Sequence, residues 1–189
     1  MKKLIFALAL IVTVATLQAQ TELKINPIGA LFASPDISLE FGVNENIGIE
    51  PFIGLSFPSL TVDGTKYKST GLGYGVHGKY YFGGDKGLDK FYGGIFLRGG
   101  NTKFTTSTSS NDKFTRSRLG VGFELGYKWV SSQNIVFELG AGIGRKIYSK
   151  YSDASNSVNT ANIPLLNLDG FFRFNIGYRF GGGSSSKRN

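Results

Sequence analysis

The chain has no cysteine, one histidine, one methionine and five prolines among its 189 residues. Without cysteine there is no disulfide framework, no thiolate metal site and no lipoprotein acylation site. A lone histidine, His77, with no Asp/Glu/His cluster around it in sequence, argues against a metal centre, which normally recruits several ligands. No long apolar run occurs beyond the first twenty residues, so no transmembrane helix is expected. Glycine is the opposite case: 27 residues, neither collagen-periodic nor gathered into low-complexity tracts.

The N-terminus, MKKLIFALALIVTVATLQAQ, reads as a secretory signal peptide over residues 1–19. Two lysines precede an apolar run from Leu4 to Val14 that is too short to span a bilayer as a helix. Removing Lys2 and Lys3 leaves 19 basic against 13 acidic residues, a formal charge of +6. Export takes the chain away from nucleic acid, so that charge is not read as a nucleic-acid surface. A single domain is expected over residues 20–180, followed by a disordered Gly/Ser-rich tail, 181–189.

The strongest periodic signal is Leu166 to Phe180, LNLDGFFRFNIGYRF. Leu166, Leu168, Phe172, Phe174, Ile176, Tyr178 and Phe180 share one face, and Asn167, Asp169, Arg173, Asn175 and Arg179 share the other. Strict alternation over such a length suits a strand that crosses a bilayer, which needs about 9–11 residues. Seven further segments alternate similarly: 21–32, 37–43, 47–57, 69–82, 91–102, 115–129 and 135–148. Pro27 inside the first suggests a bulge or an unpaired site. Short connections (44–46, 83–90, 130–134) alternate with longer polar ones (58–68, 103–114, 149–162). The fold predicted is all-β, an eight-stranded antiparallel up-and-down transmembrane β-barrel with short periplasmic turns and long external loops. Pairing centred on Ser132 would set Glu124 opposite Gly140 and Glu138 opposite Gly126, with Arg98 and Arg173 reaching across to them.

Glycine chooses which face is inside. Gly120, Gly122, Gly126, Gly140, Gly142 and Gly144 share a face with Arg118, Glu124, Lys128 and Glu138. In a narrow eight-stranded barrel, glycines leave room for long side chains from opposing strands; on a water-facing strand they pack nothing. The polar face is therefore the lumen, with an expected ionic network of Glu40, Glu50, Glu124, Glu138, Asp169, Lys79, Arg98, Arg118, Lys128 and Arg173, and Arg179 on the same face. Tyr80, Phe82, Phe91, Tyr127, Trp129, Tyr178 and Phe180 would point outward near the short-turn end as a membrane-interface girdle.

The mature chain, with Tyr178-Arg179-Phe180 as an aromatic-x-aromatic terminal signal, resembles the OmpA-like/OmpX-like outer-membrane β-barrel family. The resemblance implies an outer-membrane location and insertion by the barrel-assembly machinery. Members range over structural, adhesive and defensive roles, so function is open. No catalytic residues, cofactor or metal are expected: His77 falls on the lumen face, and Gly71-x-Gly73-x-Gly75 sits mid-strand with no helix after it. The reading is a monomeric structural or interaction protein acting through its external loops. Its partners would be outer-membrane lipid and lipopolysaccharide, with Lys66, Lys68, Arg145 and Lys146 as possible phosphate contacts. The alternative is narrow or gated porin-like transport.

Overall fold

The computed structural model describes residues 20–62, 65–106, 113–152, 157–159 and 167–181. The expected signal peptide, residues 1–19, and the expected tail beyond residue 181 lie outside the described residues. Ten strands and one short helix follow in order: β1 (Thr21–Ile25), α1 (Pro27–Leu31), β2 (Asp36–Gly42), β3 (Ile47–Ser56), β4 (Ser59–Val62), β5 (Thr65–Tyr81), β6 (Lys90–Thr106), β7 (Lys113–Val130), β8 (Ile135–Ser152), β9 (Ser157–Asn159) and β10 (Leu168–Phe180). Antiparallel ladders run β1-β2-β3-β5-β6-β7-β8-β10, and β10 returns to β1, closing an eight-membered ring. β4 and β9 are hairpin extensions that pair with β5 and β8 above the ring. The protein is an eight-stranded up-and-down barrel.

Period-two alternation sorts the side chains as a lipid-facing barrel requires. Outward residues are apolar and bare: Ile95 is 60% exposed, Phe123 73% and Ile143 66%. Inside, Glu40, Glu50, Lys24 and Glu138 are completely buried. A water-soluble barrel runs the other way, because burying apolar area is what stabilises it in water. The lumen glycines are needed for space. A Cβ on Gly126 would collide with the Tyr92 hydroxyl, and one on Gly142 with the Phe171 ring.

Three sequence expectations are corrected. The first strand stops at Ile25 instead of continuing to Phe32. Pro27, with no N–H to donate and φ preset for a helix, opens α1, and the Asn26 side chain caps it by accepting from Gly29 N at 2.9 Å. Second, the described parts of the polar connections are largely strand. β4, the start of β5, the end of β6 and the end of β8 extend the ladders through Ser/Thr-rich sequence, which suits a solvated sheet as well as a loop. Third, β7 and β8 pair around Gln133, not Ser132. Ser131 N donates to Ile135 O at 2.9 Å, and Asn134 takes a left-handed φ of 64°. This three-residue hairpin loop moves the register by two, so Glu124 lies opposite Gly142 and Glu138 opposite Lys128.

Candidate functional site: the barrel lumen

Most wall strands send charged side chains inward, and the largest group of them meets in the lower half of the lumen. Lys24 Nζ lies between three carboxylates, 2.5 Å from Glu40, 2.8 Å from Glu50 and 2.7 Å from Glu138. Lys79 also bonds Glu50, and reaches Glu138 at 2.7 Å and Glu40 at 3.3 Å. Lys128 joins Glu40 at 2.7 Å to Glu22 at 2.8 Å. Arg173 forks onto Glu50 (3.1 and 3.2 Å) and reaches Glu138 at 2.6 Å. The Tyr81 and Tyr92 hydroxyls donate to Glu40 (2.6 Å) and Glu138 (3.0 Å), and their rings lie under Lys128 and Lys79. Carboxylates taken out of water are tolerable only when paired this completely. Glu40, Glu50 and Glu138 converge closely enough to hold a cation, and ammonium groups take that position.

Below this cluster the β5–β6 connection folds under the barrel as a cap. Gly83 and Gly87 supply the positive φ (69° and 83°) that the tight path demands. Leu88 is thereby driven into the lumen, 1% exposed. Arg179 fastens the cap by donating to Lys86 O (2.5 Å) and Leu88 O (2.8 Å), while also pairing with Glu22 at 2.6 Å. Gln20 ties it from the other side, accepting from Leu88 N at 3.0 Å.

Above the cluster is an aromatic layer. His77 Nδ1 lies 2.9 Å from Glu124, and its ring stacks among Phe52, Phe96 and Phe171 at centroid separations of 5.2–6.3 Å. Higher still the lumen opens into a cavity of about 300 Å³, where Arg98 pairs with Asp169 at 3.1 Å.

Of the residues expected in the network, Glu40, Glu50, Glu138, Lys79, Lys128 and Arg173 meet in one cluster. Glu124 sits beside it with His77, and Arg98 and Asp169 form a separate pair above. Arg98 does not reach Glu124 or Glu138 as expected. Arg118 lines the cavity and has no carboxylate in ion-pair distance among the described residues. Glu22, Lys24, Tyr81 and Tyr92 are absent from that expectation. The signal for Glu22 and Lys24 is present, since in TELKI they alternate with Leu23 and Ile25, but five residues are a weak periodic signal.

The expected girdle residues are all outward and exposed at the short-turn end. They form contiguous ring pairs: Tyr80–Phe82 at 5.1 Å, Phe82–Phe91 at 5.6 Å, Tyr127–Trp129 at 4.5 Å and Tyr178–Phe180 at 5.0 Å. At the other end Lys68 and Arg145 are exposed and Lys146 is half-buried; Lys66 lies in β5, its side chain outside the described set.

A closed ring of eight antiparallel strands, apolar outside and ionic within, defines the class: a small β-barrel of the outer-membrane type. A family model described as "Protein of unknown function (DUF3575)" matches residues 4–163, and the chain belongs to that family. The fold is similar to that of a major outer membrane protein from Thermus thermophilus. The TM-score is 0.53 at 11% identity, covering 86% of this chain and 98% of the other. CarO from Acinetobacter baumannii has a TM-score of 0.45 at 10% identity, over 86% of this chain and 96% of that one. No curated protein matches the sequence. What these matches support is the outer-membrane β-barrel fold; they do not single out the OmpA-like/OmpX-like family.

Proposed function

We propose that the protein is a monomeric outer-membrane anchor with a non-conducting lumen, acting through the external half of the barrel. The observation that carries this reading is the double seal. The buried carboxylate–ammonium cluster spans the lumen, and the cap with Leu88 closes it from below. A permeant ion would have to displace ammonium groups from carboxylates that have no alternative solvation, at a cost of several kcal/mol for each broken pair. Narrow or gated porin-like transport is the lesser reading for that reason. A catalytic role is not part of the proposal, which rests on the seal alone.

The aromatic girdle suits anchoring at the inner interface, and Tyr178 and Phe180 suit handling by the barrel-assembly machinery. Lys68 and Arg145, exposed at the other end, suit contact with lipopolysaccharide phosphates at the outer one, whereas Lys146 lies opposite Gly120 on the lumen face. Single-channel recording of refolded protein in planar bilayers tests the central claim. A silent bilayer is expected, and steady openings would promote transport over anchoring.

A further inference from the structure

On its β1 side, β10 leaves the hydrogen-bonded ladder beyond Ile176. β1 ends at Ile25, opposite Ile176, so the stretch Leu168–Asn175 has no strand partner on that side among the described residues. The single-turn α1 lies there instead, against β10, with Leu31 and Phe32 exposed on its outer side. The cavity of about 300 Å³ adjoins this gap: Asn26 and Gly29 line it from one side of the gap and Phe172 from the other. That volume is at the small end of the roughly 300–1,000 Å³ typical of small-molecule sites.

The cavity is asymmetric in chemistry. Phe52 and Phe171 form its apolar floor, and Arg98 and Arg118 rise from β6 and β7. The carboxylate that lines it, Asp36, is already engaged by Asn26 at 2.9 Å, and Asp169 pairs with the lining Arg98 at 3.1 Å. Arg118 has no carboxylate in ion-pair distance among the described residues. Two more arginines keep a buried Nε without a hydrogen-bond partner: Arg173, which also lines the cavity, and Arg116, the next lumen-facing residue above Arg118 on β7. Glycine preserves the room: a Cβ on Gly73 would meet only Gly54 O, at 3.9 Å. Unspent guanidinium donors, an apolar floor and a break in the wall at the level of the outward apolar band occur together nowhere else among the described residues.

We propose that this cavity binds a single-chain amphiphile with an anionic head. The head sits on Arg98 and Arg118, and the tail runs over Phe52 and Phe171 toward the gap beside α1. Carboxylate and phosphate heads share the required chemistry, since both accept charge-assisted bonds from guanidinium. The proposal is independent of whether the ionic cluster conducts, because the cavity lies above it.

The test uses the refolded barrel in uncharged detergent, with native mass spectrometry counting bound molecules. The probes are laurate, dodecyl phosphate, dodecanol, acetate and inorganic phosphate. One laurate or one dodecyl phosphate per barrel is expected, and which of the two binds tighter identifies the head. Dodecanol should bind at least tenfold more weakly, and acetate and inorganic phosphate not detectably. Arg118→Gln should weaken amphiphile binding about tenfold, and Gly73→Leu, which fills the cavity, should abolish it. Heat-modifiable gel migration confirms folding of each variant, and the alcohol comparison needs no variant. Dodecanol binding as tightly as laurate, free anions binding as tightly as the amphiphiles, or full binding by folded Gly73→Leu would each overturn the proposal.

Discussion

Glu138 shows how much one side chain can carry inside a narrow barrel. Its two oxygens accept from Lys24, Lys79, Arg173 and the Tyr92 hydroxyl, and its register partner is Lys128. Glu138→Ala removes the acceptor and strands buried cations, so a loss of about 3–5 kcal/mol is expected. Its neighbour Leu139 points the other way, into the apolar band. Leu139→Arg should cost about 2–4 kcal/mol for an unrelated reason, a charge placed in lipid near the midplane. Urea unfolding in lipid vesicles measures both. A neutral Leu139→Arg beside a costly Leu139→Ala would identify that face as a water-accessible core and contradict the membrane reading. Which face is which is legible from residue types alone, because glycine and charge alternate with Leu, Ile and Phe. Which cation meets which carboxylate is not, because it depends on ring closure: Lys24 on β1 and Glu138 on β8 lie far apart in sequence yet flank the same strand, β10.

At the level of elements, the eight alternating segments are readable and their ends are not. Period two persists only where one face is apolar, and the external halves of β5–β8 leave the apolar band. There Thr, Ser and Lys occupy both faces, the alternation fades, and paired strand reads as loop. The β7–β8 register departs from the sequence expectation by two residues because it depends on Asn134 adopting a left-handed φ, which the sequence SSQN does not announce. Pro27 marks the interruption of the first strand, but the helix it begins, and the break in the ladder beside it, require the register of β10. The cap is hidden as well, since Gly83–Lys90 reads as an ordinary turn. This arrangement of elements makes an orientation test direct. An epitope inserted between β6 and β7 should be detected on intact cells, and one at Asp85 only after permeabilisation. The reverse pattern would mean that the barrel stands the other way up.

Taken whole, the molecule is a ring whose joins are unequal. β6 and β7 pair over sixteen positions, whereas β1 and β10 pair over five, Thr21–Ile25 against Ile176–Phe180. β1 and β2 also pair over only five positions, but those two strands are joined by the short α1 segment. β1 and β10 are held by their ladder and side chains alone, so the β1–β10 seam is where unzipping starts and where the final snap of closure occurs. Glu22 and Arg179 face each other across it, bonded at 2.6 and 2.8 Å, and act as a latch. The latch also grips the cap through Leu88 O, so a closed seam and a capped floor are one event. Glu22→Ala should therefore speed vesicle-bound unfolding more than the same truncation of Asp169, which pairs with Arg98 well away from the seam. Time-sampled cold gel electrophoresis reads both rates, and equal acceleration by the two variants would locate the opening elsewhere. The short join between the chain's first and last strands thus gives the barrel a preferred place to come undone, with Glu22 and Arg179 paired across it.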